Sequence, residues 1–141
     1  MHKMTDAEAW AFLAAGSRTT VFASTQDDGR PHAVPTWYQL DGDELVFTTW
    51  HASVKAANIR RDPRVTVVVQ DPAPPYDYVS VDGEATLIDD VVECRRISTE
   101  LGAKYMGADR AEAFGARNGV PGELVVRVRP THIHGYTEVA G

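Results

Sequence analysis

The residues best suited to chemistry stand together in TTWHASVKAANIRRDP, positions 48–63. Only three lysines occur in the chain, and Lys55 falls two residues after Ser53, where a helix should begin. With Ser53 as N-cap, Val54 is the first helical residue and Lys55 the second. A cation in a first turn opposes the partial positive charge of the helix end, at a cost of about 0.3–1 kcal/mol. An anion at that end reverses the sign. Free N–H groups, the Ser53 hydroxyl and the Lys55 ammonium then converge on one phosphate. The plain alternative is a Lys55 that snorkels into solvent. Arg60 and Arg61 close the same helix, where cations suit the dipole; each is either structural or a contact for a ligand's negative tail. Asn58 either bonds a ligand or stays solvated.

No residue declares itself as the catalytic acid. His51 lies nearest the phosphate segment and is either a proton donor to a substrate or a solvated loop residue. His132 and His134 share a strand face, but two ligands without a third are weak grounds for a metal site, and none is assigned. Tyr76 and Tyr78 also share an expected strand face, either walling a substrate pocket or packing in the core.

These residues need elements to hold them. Thr5-Asp6-Ala7-Glu8 reads as a capping box before a helix that stops near Gly16. Strands are expected over Thr19–Thr25, Pro31–Leu40 and Glu44–Thr49, the last two joined by a hairpin at Asp41-Gly42-Asp43. A short helix follows from Ser53 to about Arg61, ended by Asp62-Pro63. The run RVTVVVQ, Arg64–Gln70, is apolar on both faces and reads as a central strand covered on both sides. Tyr76–Ile88 is a long strand weakened at Gly83. Val91–Met106 is a helix with Asp89 or Asp90 as cap, and Asp109–Arg117 adds a second helical piece. Glu123–Arg129 and His132–Tyr136 close the chain as strands. Seven short, mostly antiparallel strands with one longer helical excursion favour a small closed or partly open barrel over a parallel α/β sheet.

Composition narrows the function. A single domain over residues 1–141 is expected. The net charge of -6 argues against general affinity for nucleic acid. No run is long enough to span a membrane and the N-terminus lacks a signal peptide's apolar core, so a cytoplasmic protein is expected. One cysteine, Cys94, excludes an internal disulfide.

From Thr19 onward the chain resembles the split β-barrel, pyridoxamine-phosphate-oxidase-like superfamily of flavin and deazaflavin proteins. The resemblance runs through DGRPHAVPTWYQLDGDELVFTTWHASVKAANIRRDPRVTVVV, PYDYVSVDGEATL, KYMG and VVRVRPTHIHGY. Its most specific part is F-x-T-x-x-x-S-x-K, matched by Phe47, Thr49, Ser53 and Lys55, which in that family binds the cofactor's phosphate. The FMN oxidases usually carry S-R-K here, whereas this chain has Val54 in the middle. It also lacks their Arg-rich C-terminal segment, so oxidation of pyridoxamine phosphate is not expected. N-x-R-R-D-P-R and a helix ending K-Y-x-G look more like the branch that uses coenzyme F420, a deazaflavin with a phosphate and a poly-glutamate tail.

The resemblance implies a mainly β (α+β) split barrel of about six to seven strands with short flanking helices. It implies an F420-dependent oxidoreductase that moves hydride between the reduced cofactor and a small, conjugated organic substrate. The cofactor residues it implies are Pro35, Thr36, Trp37, Thr48, Thr49, Ser53, Val54, Lys55, Asn58 and Arg60, at a homodimer interface, with His51, Tyr76 and Tyr78 toward the substrate. The alternatives are an FMN-dependent oxidoreductase on the same fold, or a non-catalytic deazaflavin- or haem-binding protein with His132 or His134 as the haem ligand.

Overall fold

The computed structural model describes residues 1–141. Thr5 caps the first helix, α1 (Asp6–Ala14): its hydroxyl accepts from Glu8 N–H, and the Glu8 carboxylate accepts from Thr5 N–H. A two-residue strand β1 (His2–Lys3) precedes it. The strands that follow are β2 (Thr20–Thr25), β3 (Pro31–Thr36), β4 (Gln39–Asp41), β5 (Glu44–Trp50), β6 (Arg64–Gln70), β7 (Tyr78–Ile88) and β8 (Glu123–Thr137). Between them lie α2 (Val54–Arg61), α3 (Val91–Met106), a short 3-10 turn at Ala108–Arg110 and α4 (Ala111–Asn118). All ladders are antiparallel, in the order β3-β2-β6-β7-β8-β5-β4, with β1 on β8. The sheet curls into a split barrel that does not close.

Alternation builds the core. Phe22, Val65, Val67, Val69, Val79, Val81, Val126 and Val128 point inward and are almost fully buried. α3 lays its apolar stripe, Cys94, Ile97 and Leu101, against this assembly. Two glycines permit the geometry. Gly42 takes φ +64 in the two-residue turn between β4 and β5. Gly83 sits at a bulge where an added Cβ would meet Arg129 O at 2.7 Å, so only glycine fits between β7 and β8.

Four expectations change. Pro31–Leu40 is two strands, broken at Trp37 and Tyr38, because both rings turn inward to partners: Trp37 stacks on Tyr105, and the Tyr38 hydroxyl donates to Leu13 O at 2.7 Å. Glu123–Tyr136 is one continuous strand, since β7 is long enough to pair along its whole length. β6 is buried on one face only; Thr66 and Val68 on the other remain half-buried. Tyr76 lies in a turn at φ +66 before β7 begins, so it shares no strand face with Tyr78.

Candidate functional site

α2 starts as its sequence requires. Ser53 has extended backbone (φ -69, ψ 157), and its Oγ accepts from Ala56 N–H at 3.1 Å. The same oxygen lies 2.9 Å from Thr49 Oγ1, which β5 supplies from a buried position. With Thr49 as donor, Ser53 Oγ accepts twice, and its own proton is left for an external acceptor. The N–H groups of Val54 and Lys55, in the first turn, have no intrahelical partner. Val54's side chain is exposed.

Lys55 leaves this turn to enter a cleft of about 320 Å³. Pro35, Thr36 and Trp37 from β3 and its end form one wall, and Phe47 and Thr48 from β5 form another. Ser98 and Leu101 of α3 and Phe114 and Asn118 of α4 complete it. Trp37 is held rigidly: its ring stacks on Tyr105 at 5.0 Å and 9°, and meets Phe114 edge-on at 5.4 Å. Tyr105 is itself fixed, donating to Arg18 O at 2.6 Å and accepting from Tyr38 N–H at 3.3 Å.

Two polar groups in the cleft lack protein partners. Thr36 Oγ1 is buried without a hydrogen bond. No carboxylate comes within ion-pairing distance of Lys55 Nζ, and burial pushes its pKa below the usual lysine value, with Glu123 pulling the other way. Glu123 opens β8 and is buried. Desolvation raises its carboxyl pKa; the Thr48 hydroxyl, Arg117 and Lys55 offset part of that rise. Thr48 Oγ1 also lies 3.3 Å from Ser98 Oγ. An unpartnered ammonium and an unpartnered hydroxyl in one rigid cleft suit an anionic, ring-bearing ligand.

The structure therefore brings Pro35, Thr36, Trp37, Thr48 and Lys55 to one cleft, with Thr49 and Ser53 bonded beside it. Other expected residues lie elsewhere. Asn58 is neither solvated nor in the cleft: it is buried, and its Nδ2 donates to Ser24 Oγ at 3.0 Å, fastening α2 to β2. Arg60 folds back to donate to His51 O at 2.9 Å. His51 is exposed and packs on Trp50. Tyr78 pairs with Tyr136, ring centres 5.9 Å apart, and neither Tyr76 nor Tyr78 lines the cleft. His132 and His134 lie 5.3 Å apart between ring centres, and no group of three metal-ligating side chains forms.

Ser98, Leu101, Phe114 and Asn118 were not anticipated. A serine on the buried stripe of α3, between Ile97 and Leu101, was the one available signal.

The pyridoxamine 5'-phosphate oxidase family matches residues 5–136. The chain belongs to this family. Its fold recurs in a conserved hypothetical protein of Mycobacterium tuberculosis, with TM-score 0.82 and 26% identity over 96% of this chain and 86% of that one. An F420 reductase aligns with TM-score 0.70 and 27% identity, covering 86% of this chain and 93% of its own. A FAD-binding protein of Mesorhizobium loti shares the fold alone, with TM-score 0.71 and 19% identity over 95% of both chains. No curated protein matches the sequence. No helix is long and apolar enough to cross a membrane.

Proposed function

We propose that this protein is an F420-dependent oxidoreductase acting on a small conjugated organic substrate. The observation that carries the reading is Lys55: a half-buried ammonium without a protein partner, beside a serine-capped helix start, in a cleft walled by Trp37 and Phe114. The F420 reductase among its structural relatives supports the choice of cofactor.

The residues fit a phosphate-bearing deazaflavin. Lys55, the Ser53 hydroxyl and the free N–H groups of Val54 and Lys55 would hold the phosphate. Pro35, Thr36 and Trp37 would flank the ring system, with Thr36 Oγ1 as a hydrogen-bonding group. When bound, the deazaflavin supplies a carbon centre that exchanges hydride with the substrate. The chain's own part is to orient and to exclude water: the Trp37–Tyr105 stack fixes one wall, and α3 and α4 cover the other. A second copy of the chain would complete the site. The outer face of β2 and β6, where Val21 (45% exposed) pairs with half-buried Val68, supports that assembly.

Fluorescence titration with F420, run beside FMN, tests the reading. Saturable binding of F420 at micromolar or tighter affinity, with little for FMN, is the expected result. Preference for FMN, or binding of neither, would overturn it.

A further inference from the structure

Among the uncharged polar side chains that line the cleft, Thr48 and Ser98 lie within bonding distance of each other at 3.3 Å, while the Asn118 carboxamide bonds nothing in the protein. Asn118 is half-buried and is the last residue of α4. Asparagine often ends a helix because it tolerates left-handed backbone. That reason is missing here, since Tyr76 and Glu138 are the only residues besides glycine with positive φ. The helix end that bears the amide is also fixed. Phe114, four residues earlier and so about 6 Å back along the same helix face, lines the cleft too and meets Trp37 edge-on at 5.4 Å. α4 lies so close to α3 that a Cβ on Gly119 would fall 2.6 Å from Arg95 Cβ, and one on Gly115 would collide with the Thr99 hydroxyl. Gly119 N–H donates to Gly115 O at 2.8 Å and closes the last turn.

A carboxamide offers N–H donors and a carbonyl acceptor side by side. Thr36, at the end of β3, adds a buried hydroxyl that also lacks a partner. Trp37, Phe47, Leu101 and Phe114 make the apolar walls between them. We propose that Asn118 is a specificity-determining residue that binds the polar edge of the ligand's ring, the class being a planar heterocycle with adjacent ring N–H and C=O groups, as in a pyrimidinedione. The inference rests on the reading that a deazaflavin enters this cleft, and the deazaflavin ring carries such an edge. A ring that fills the cleft takes solvent away from the carboxamide. One without the edge leaves the amide unpaired, a cost that a matching ring avoids. Lys55 then selects for the anion and Asn118 for the ring.

The test is titration of F420, and separately of inorganic phosphate, into the wild-type protein, Asn118→Leu and Asn118→Ala. FMN is run beside F420 because its ring carries the same edge. Both variants should bind F420 about tenfold more weakly, the worth of one hydrogen bond lost in a desolvated site. Their affinity for phosphate and their denaturation midpoints should not change, because the amide bonds nothing in the fold. Unchanged affinity for F420 overturns the proposal while leaving the cofactor reading intact. An equal loss for phosphate overturns it as well, since the site as a whole would then be disturbed.

If only FMN binds the wild type, the cofactor reading falls, and the proposal stands or falls on the same loss measured with FMN. Binding of neither overturns both. Should neither variant fold, the nitrogen-15 resonance of the Asn118 side-chain amide in the wild type decides. A shift with F420 and none with phosphate is expected, and an unmoved resonance with F420 overturns the proposal.

Discussion

Lys55 and Lys104 are both half-buried, and burial lowers the pKa of each. Their surroundings differ. Lys104, near the end of α3, donates to Tyr38 O at 2.7 Å and lies 4.1 Å above the Tyr38 ring. That carbonyl and ring are its partners, and the contact ties α3 to the chain between β3 and β4. Lys55 has a wall of apolar and hydroxyl groups around it and no partner of its own. Desolvation alone does not distinguish the two; the missing partner does. A half-buried cation with a protein acceptor reads as structure, and one without reads as a binding group.

Removing the charge from Lys55 gives the largest expected effect. Lys55→Met should weaken F420 binding by about 1.5–3 kcal/mol, the worth of a charge-assisted contact, and leave unfolding stability no lower. Lys104→Met should leave that affinity within about twofold. Parallel titrations of the two variants check both, and equal losses would erase the distinction.

Asn58 sharpens the comparison from inside α2. Its amide bonds Ser24 away from the cleft, so Asn58→Ala should cost about 1–3 kcal/mol of folding stability through the buried Ser24 hydroxyl it leaves unpaired. Denaturant unfolding measures the loss, while F420 affinity of the folded fraction should hold.

Lys104 also predicts a pH effect. Its folded pKa is lowered to about 8 from the ordinary 10.5, so above pH 8 the unfolded chain binds more protons than the folded one. Stability should therefore rise between about pH 8 and 10, by about 1 kcal/mol once solvent screening of a partly exposed group is allowed for. Beyond that, Tyr38, whose pKa burial raises, turns the trend downward. Denaturation midpoints across this range should show the rise in the wild type and lose it in Lys104→Met.

The smallest effect lies on the outer face of α3. Arg96 pairs with Glu93 at 2.7 Å, Asp41 at 3.1 Å and Glu100 at 3.3 Å, but Arg96 and Glu100 are exposed and Asp41 and Glu93 only half-buried. Arg96→Ala should change stability by less than about 1 kcal/mol and leave F420 affinity unchanged, by the same two assays.

What could be read from the sequence was local. The Thr5–Glu8 capping box, the Ser53 cap and the hairpin turn after Asp41 are set by residues within a few positions of each other, and each forms as the sequence implies; of the two caps open to α3, Asp89 and Asp90, the structure uses Asp90. The break between β3 and β4 was hidden because no turn residue marks it; it is imposed by Tyr105 and Leu13, distant in sequence. The cleft divides the same way. Of its near half, Lys55 beside the Ser53 cap follows from spacing, while Pro35, Thr36, Trp37 and Thr48 follow only from the family resemblance. Its far half, Ser98, Leu101, Phe114 and Asn118, arrives only when α3 and α4 pack across the sheet. Asn58 was misplaced because a helix pattern does not say which face meets β2.

The most direct measurement of the central claim is a crystal structure of the protein with F420. The account predicts the cofactor's phosphate within hydrogen-bonding distance of Lys55 Nζ and Ser53 Oγ, with its ring against Trp37 and no contact to Lys104. A phosphate bound elsewhere, with Lys55 still unpartnered, would contradict it.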